Sequence, residues 1–199
     1  VSFENDGAPM NEDTLVNKLL AIGESGKGFV GTVGGFGKAK LLLLFCHKSY
    51  TVRTGTLEIN GCGGDYTITR DLPYFHGTKT TVLVEGDYKN KFESKTRDFC
   101  ECMQWGGTVT FNGEILECSL SKGKPRRQLS FGTVYTNKSF SNRLVVRANG
   151  IPMFYHYTSM DRCVVVELTG SSVDVLTSNR DGLLYTHRST LDNFIAELT

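Results

Sequence analysis

The chain has 199 residues and a formal net charge of +1, with 22 Lys and Arg residues against 21 Asp and Glu residues. This length accommodates one large domain or two small ones, because domains commonly contain about 100–150 residues. Basic and acidic residues are interspersed along the chain, so the overall charge gives no support to a nucleic-acid partner. The longest apolar run, Leu41 to Cys46, is far shorter than the roughly 20 residues that span a bilayer. We therefore expect no membrane anchor in this sequence.

The chain begins at Val1 within an alternating pattern, without an initiator Met and without a basic-then-apolar signal stretch. We interpret it as a fragment of a longer cytoplasmic protein, for which reduced thiols are expected rather than disulfides. Cys100 and Cys102 are close enough in sequence to bind one zinc ion together, and Cys118 lies downstream of them. No second Cys or His pair with ligand spacing accompanies them. We favour buried small hydrophobic side chains at these positions and predict no metal ligand.

The first half of the chain predicts helices packed on a sheet, which is an α+β arrangement. A strand over residues 1–4 precedes a helix that Asn11 can cap and whose first turn contains Glu12 and Asp13. Residues 23–37 contain seven glycines and predict a loop, and a second helix is expected from Phe36 or Gly37 to Phe45. Alternating patterns predict strands over residues 49–54, 56–59, 65–71 and 78–85.

A charged stretch over residues 86–91 predicts a boundary between a first domain, residues 1–88, and a second domain, residues 89–199. The second half contains two Asn-Gly hairpin signals, at Asn112-Gly113 and Asn149-Gly150. Further strands are predicted over residues 163–168 and 172–176. A closing helix is expected to bury an apolar face made of Leu183, Leu184, Leu191, Phe194, Ile195 and Leu198.

Two glycine-rich segments are candidate phosphate-binding loops. The segment from Gly23 to Gly28 lacks the first glycine of a P-loop and the hydroxyl residue after its lysine, so we discard it. In the second segment, Gly34-Gly35-Phe36-Gly37-Lys38, glycines lead directly into a predicted helix start. Backbone N–H groups at such a start can cradle phosphates, because glycine allows a close approach. A flexible linker would give the same pattern.

Three segments in the expected order resemble the sequence boxes of the GHKL (Bergerat-fold) ATPases, a group that includes histidine kinases, heat-shock chaperones and MutL. The first segment resembles the acid-x-Gly-x-Gly-Met box, the second the glycine-rich lid, and the third the Gly-Thr box that opens a late strand. They are Glu4-Asn5-Asp6-Gly7-Ala8-Pro9-Met10, Gly34-Gly35-Phe36-Gly37 and His76-Gly77-Thr78-Lys79-Thr80-Thr81-Val82.

The resemblance implies a role for each matching residue. The first box and the Gly-Thr box would bind adenine, and the lid would wrap the triphosphate. The implied ATP-binding residues are Asn5, Asp6, Gly7, Met10, Gly34, Gly35, Phe36, Gly37, Lys38 and Thr78. Two positions depart from the family pattern, because Asn5 stands in the place of an Asp and Pro9 in the place of the second Gly. An amide oxygen still accepts a hydrogen bond from adenine, but without the strength that a carboxylate charge adds.

The family's first helix, which carries the Glu that activates water and the Asn that holds Mg²⁺, precedes the first box and is not in this sequence. The resemblance therefore implies ATP and Mg²⁺ as cofactors, with the magnesium ligand upstream and hydrolysis only in the full-length parent. It implies a truncated Bergerat-type α/β sandwich, with helices on a mixed sheet, followed by a strand-rich transducer-like (ribosomal S5 domain 2-like) α+β domain.

A loop in the second half resembles the Ser-Arg-acid loop of the heat-shock chaperone branch. Its sequence, Leu176-Thr177-Ser178-Asn179-Arg180-Asp181-Gly182-Leu183, would make Arg180 the sensor of the γ-phosphate. A guanidinium suits this role because it makes bidentate phosphate contacts and stays charged. The alternative is that Arg180 pairs with Asp181 or Asp192 and stabilises a turn.

These expectations combine into an ATPase in which nucleotide binding closes the lid and changes domain orientation or drives homodimerisation. The general pattern resembles phage rIIA-type proteins and their bacterial relatives, which would place the protein in the host cytoplasm. Two other functions stay open. One is a non-catalytic interaction module that keeps the fold, and the other is a MutL-like or type IIB topoisomerase-like DNA-processing ATPase.

Overall fold

The computed structural model describes residues 1–21, 41–86, 89–138, 142–169, 174–177 and 179–197. The chain divides into two compact units. The first contains the described residues up to position 86, and the second contains the described residues from Lys89 onward. Both units combine strands with helices, so the α+β class predicted from the sequence is confirmed. Among the described residues, no helix combines the length and the apolar character needed to cross a membrane.

A five-stranded antiparallel sheet forms the first unit, with the strand order β1-β5-β2-β3-β4. Side chains of β2 alternate between buried and more exposed positions, which is typical of a sheet with one covered face. All of the strands predicted in this half are present, with ends shifted by a few residues. They are β1 (Ser2–Asn5), β2 (Ser49–Gly55), β3 (Leu57–Cys62), β4 (Asp65–Thr69) and β5 (Phe75–Leu83).

The predicted helix cap at Asn11 is confirmed, because the Asn11 side-chain oxygen accepts a hydrogen bond from the Thr14 N–H at 2.8 Å. Helix α1 (Glu12–Thr14) continues as a π-helical segment over Leu15–Leu20, and a second π-helical segment covers Leu41–Phe45. The part of the second predicted helix before Leu41 lies outside the described residues. The core of this unit consists of Leu15, Leu20, Leu44, Tyr50, Val52, Leu57, Ile59 and Val82.

The second unit contains a five-stranded sheet with the order β11-β10-β12-β9-β8 and a separate hairpin, β6-β7. Strands β10 and β12 are parallel, and the other neighbours are antiparallel. The elements are α2 (Lys89–Glu101), β6 (Val109–Phe111), β7 (Glu114–Leu116), β8 (Lys124–Leu129), β9 (Gly132–Asn137), β10 (Arg143–Ala148), β11 (Ile151–Tyr157), β12 (Cys163–Leu168) and α3 (Tyr185–Ala196).

Both Asn-Gly hairpin predictions are confirmed. Asn112 and Gly113 have φ angles of 52° and 84°, and Asn149 and Gly150 have φ angles of 51° and 78°. Two successive positive φ angles define the type I′ turn, whose twist matches that of the flanking strands. The second turn joins β10, which ends at Ala148, to β11, which begins at Ile151.

Several elements differ from the sequence prediction. Helix α2 and strand β8 were not predicted, because the charged residues near Lys89 and along β8 lack a clear apolar period. Strand β9 was not predicted either, although its side chains alternate between buried and more exposed positions. The strand predicted over residues 172–176 is wrong where the chain is described, because residues 174 and 175 form a turn and Leu176 forms an isolated bridge with Leu183. The closing helix buries Leu191 and Phe194, but Leu184 is 40% exposed and precedes the helix. Leu198 lies outside the described residues.

Candidate functional site

The first box and the Gly-Thr box come together in the first unit, although 65 residues separate them in the sequence. Strand β1 pairs with β5, and Asn5 lies directly opposite Thr78. Thr78 in turn lies opposite Thr54 on β2. Directly opposed residues on neighbouring strands share a face, so these three side chains form one row across the sheet. This is the face that carries the core residues Val52 and Val82.

Gly77 makes this close approach possible. Its φ angle is +85°, and a Cβ atom added there would lie 1.9 Å from the backbone oxygen of Asn5. No side chain can be accommodated at that distance, and L-residues rarely adopt such a φ angle. The glycine of the Gly-Thr box therefore lets the start of β5 pack against the end of β1.

Thr54 joins the two boxes through its side chain, which is fully buried. Its Oγ1 accepts a hydrogen bond from the Met10 backbone N–H at 2.9 Å and donates to the Gly77 carbonyl oxygen at 2.9 Å. The same Oγ1 lies 3.1 Å from the Oγ1 of Thr78. A hydroxyl has one proton and two lone pairs, so this network is satisfied when the Thr78 hydroxyl donates to Thr54. Thr78 then keeps its own lone pairs as acceptors.

Thr54 was not among the residues singled out from the sequence. Its only local signal is its place in the alternating pattern of β2, where it follows Tyr50 and Val52 on the buried face. A buried threonine in such a pattern is usually a core residue. Only the pairing of β2 with β5 shows that its hydroxyl contacts both boxes.

The Asn5 side chain organises the turn that follows β1. Its Oδ1 accepts a hydrogen bond from the Gly7 N–H at 3.1 Å, and a Cβ atom at Gly7 would lie 3.2 Å from that oxygen. Asn5, Asp6 and Gly7 are all exposed. An amide oxygen has two lone pairs and its NH2 group has two donors, so Asn5 retains hydrogen-bonding capacity toward a ligand.

Arg53 fixes the segment that leads into the Gly-Thr box. Its NH1 donates to the carbonyl oxygens of Gly55 at 2.7 Å and Leu57 at 2.9 Å, and its NH2 donates to that of Pro73. The guanidinium also lies 5.9 Å from the centre of the Phe75 ring, within the range of a cation–π contact. These contacts hold the approach to β5 against the β2–β3 turn.

A shallow cleft of about 400 Å³ lies beside this junction. Met10 and Pro9 contribute apolar surface from the first box, and an ion pair between Glu12 and Arg70 lies at its edge, with an N–O distance of 2.5 Å. Hydrogen bonding to Arg70 holds the pKa of Glu12 below its usual value. The lining residues are Pro9, Met10, Asn11, Glu12, Gly55, Thr56, Leu57 and Tyr74.

The structure brings half of the sequence-predicted ATP-binding residues to one place. Asn5, Asp6, Gly7, Met10 and Thr78 all belong to the β1–β5 junction or the turn beside it. The five lid residues, Gly34, Gly35, Phe36, Gly37 and Lys38, lie outside the described residues.

Arg180 belongs to the second unit, within a tight turn. Its φ angle is +58°, and its backbone N–H donates to the Thr177 carbonyl at 2.9 Å. Thr177 also donates through Oγ1 to the Asp181 carboxylate at 2.7 Å, which closes the loop. Asp192, the other acid considered as a partner, lies 3.6 Å from Arg188. The role of Arg180 as a phosphate sensor stays a prediction.

The cysteines considered as zinc ligands lie in two apolar clusters. Cys100 and Cys118 pack with Met103 and Leu116, whereas Cys102 packs with Leu120 and Cys163. Burial raises the pKa of the Cys118 and Cys163 thiols to about 11, so both are protonated at neutral pH. Zinc binds the thiolate rather than the thiol. Within the described ranges, no group of three or more His, Cys, Asp or Glu side chains is arranged to hold a metal ion.

Comparisons with known proteins leave the family open. No protein-family model matches the chain, and no curated protein sequence matches it. A solved structure of a variant ATPase domain of MutL from Aquifex aeolicus aligns over 96% of this chain and 84% of that chain, with 11% sequence identity and a TM-score of 0.47.

Proposed function

We propose that the first unit binds ATP, with the adenine ring at the junction of Asn5, Thr54 and Thr78. The observation that carries the proposal is the direct pairing of Asn5 with Thr78, because it joins two of the three family-like boxes. Two segments that resembled the boxes only by chance would not be expected to lie side by side on one sheet. The buried Thr54 hydroxyl, which contacts both boxes, supports the same interpretation.

The polar groups at this junction are complementary to adenine. The Watson–Crick edge of adenine combines an amino donor with a ring-nitrogen acceptor, and the amide of asparagine offers an acceptor and a donor side by side. The hydrogen bond from the Gly7 N–H fixes which end of the Asn5 amide carries the oxygen. In this orientation the order of acceptor and donor matches adenine, whereas guanine presents the opposite order of donor and acceptor on the same edge. The Thr78 hydroxyl, with its proton directed to Thr54, adds a second acceptor for the amino group.

The proposal extends to the phosphates through the resemblance alone. Gly34, Gly35, Phe36, Gly37 and Lys38 would wrap the triphosphate, and Arg180 would contact the γ-phosphate when the lid closes. Mg²⁺ would neutralise phosphate charge. Nucleotide binding would then drive lid closure or dimerisation.

Calorimetric titration of the 199-residue chain with Mg-ATP tests the proposal. We expect binding of ATP in preference to GTP, and a loss of affinity of about tenfold in Thr78→Val, because one hydrogen bond to the ring is removed. The double variant Gly35→Ala/Gly37→Ala is expected to weaken the binding of ATP and to leave the binding of adenosine unchanged. Ser2→Ala, on the opposite face of β1, serves as a matched control.

One result would favour a non-catalytic interaction module over an ATP-binding unit. If neither ATP nor adenosine binds at millimolar concentration while the chain is folded, the junction is structural and the unit is an interaction module. The existing hydrogen bond from Gly7 to Asn5 would then be the whole role of that amide. Equal binding of ATP and GTP would instead contradict the adenine assignment alone.

A further inference from the structure

The net charge of the chain is near zero, but its basic and acidic residues are distributed unevenly along the sequence. Residues 118–160 contain seven Lys and Arg residues and no Asp or Glu, so the rest of the chain is acidic. Two of these seven are accounted for inside the second unit, because Arg147 pairs with Glu167 at 2.9 Å and Arg143 pairs with Glu101 at 2.9 Å. The cations that are left include a cluster on and near β8.

A bulge in β8 places three cations on one face of the sheet. Lys124 lies opposite Thr136 and Arg127 lies opposite Val134, and the register shifts between these two pairs. Arg126, at the shift, donates through Nε to the Oγ1 of Thr136 at 2.9 Å. A regular strand would direct alternate residues to opposite faces. We call Lys124, Arg126 and Arg127 the basic face.

Acidic side chains engage only part of the basic face. Arg127 pairs with Glu197 at the end of α3, with N–O distances of 2.5 and 3.2 Å, and its guanidinium lies 4.7 Å from the Phe194 ring centre. Among the described residues, neither Lys124 nor Arg126 forms an ion pair with a carboxylate. Both side chains are exposed. Lys122, just before β8, is 3.8 Å from Glu167 on the other side of the strand.

The position of β8 at the edge of its sheet makes the basic face accessible to a large partner. In the part of the chain that the structure describes, no strand pairs with the outer side of β8. Lys and Pro on an edge strand also discourage pairing with another chain, but that role does not require cations to share a face. The bulge adds this shared face, which covers about 10 Å of strand from Lys124 to Arg127.

We propose that the basic face of the second unit binds the phosphodiester backbone of a nucleic acid without sequence preference. Arginine forms bidentate contacts with phosphate, and lysine adds a point charge. Phosphate contacts of this kind position a nucleic acid but do not read its bases. This binding is independent of the proposed ATP site, because none of its residues belongs to the first unit.

Fluorescence anisotropy with a labelled 20-base-pair duplex in 50 mM salt tests the proposal. We expect Lys124→Gln/Arg126→Gln to weaken binding at least tenfold and to reduce the slope of log affinity against log salt concentration by about two. Glu197→Gln is expected to strengthen binding several-fold, because it removes a carboxylate that competes for Arg127. Lys48→Gln/Lys79→Gln, two exposed lysines of the first unit, is the control with the same change in net charge.

Three outcomes would overturn the proposal. One is no binding of the duplex by the folded wild-type chain, and another is equal weakening by the control pair. The third is binding of phosphatidylserine–phosphatidylcholine vesicles, but not of duplex, in a manner that depends on Lys124 and Arg126. Unchanged duplex affinity of the double variant would overturn the proposal as well, and light scattering of that variant would then show whether the two cations serve to prevent aggregation.

Discussion

Each unit of the chain contains a buried polar network, and the two networks differ in where they end. In the first unit, the Thr54 hydroxyl contacts the Gly77 carbonyl and the Thr78 hydroxyl, and Thr78 lies opposite the exposed Asn5. In the second unit, Arg147 is fully buried, and its Nε donates to Glu167. The first network leads to Thr78 and the exposed Asn5 opposite it, whereas the second ends at Gln104 and Lys122. Every guanidinium nitrogen of Arg147 is directed to a protein acceptor, and we call the second network closed in that sense.

The closed network holds a loop against the sheet. Arg147 also donates to the Leu120 carbonyl at 2.8 Å and to the Gln104 side-chain oxygen at 3.2 Å, while Glu167 accepts from the Gly150 N–H at 2.8 Å. Both networks therefore reach a residue at the surface, Asn5 in the first and Gln104 in the second. The comparison teaches that burial of a polar group does not by itself indicate function.

The largest expected effect comes from breaking the closed network. Arg147→Met removes the closer cation of a buried ion pair and leaves the Glu167 carboxylate with only the more distant Lys122, at 3.8 Å, which costs about 3–5 kcal/mol of unfolding free energy. Urea unfolding measures this change. The double variant Arg147→Met/Glu167→Leu is expected to recover much of the loss, because the unpaired charge is gone. A double variant as unstable as the single one would show that the carbonyl contacts, not the charge, dominate.

A smaller effect on stability, with an additional effect on binding, is expected at Thr54. Thr54→Val preserves shape but leaves the Met10 N–H without its acceptor, at a cost of about 1–3 kcal/mol. We also expect ATP affinity to fall about tenfold, because the Thr78 hydroxyl loses the partner that orients it. Thr54→Ser retains the hydroxyl and should restore affinity even where it lowers stability. If stability changes but ATP affinity does not, the open network is structural, like the closed one.

The smallest effects are expected from two exposed ion pairs, one in each unit. Hydrogen bonds from Arg70 and Arg97 hold the pKa values of Glu12 and Glu114 below the usual value for glutamate. A carboxylate with a depressed folded-state pKa stabilises the protein above its unfolded pKa, and the contribution is lost as pH falls through the folded pKa. Carboxyl NMR titration should show that the pKa of Glu12 rises toward the ordinary value in Arg70→Gln, and that the pKa of Glu114 does so in Arg97→Gln. Unchanged titration curves would show that solvent screens both pairs.

Much of the first unit could be predicted from the sequence, because its strands alternate clearly and its first helix has an asparagine cap. The second unit was less predictable. The sequence of β8 is rich in charged residues and has no alternating apolar pattern. Helix α2 begins within a stretch that was interpreted as a domain boundary. Of the candidate site, Asn5, Gly7, Met10 and Thr78 were found through motif resemblance. Thr54 and Arg53 were missed, because nothing in the local pattern distinguishes a residue that joins strands from an ordinary strand residue.

The sequence by itself determined the local features: the type I′ turns at Asn112-Gly113 and Asn149-Gly150, the Asn11 cap and the period of the strands. These depend on backbone preferences and side-chain chemistry within a few residues. Only the tertiary structure decided that β1 pairs with β5, that β10 runs parallel to β12 and that a bulge gathers the cations of β8 on one face. Strand pairing depends on which distant apolar faces pack together, and that choice is made by the whole chain rather than by any local segment.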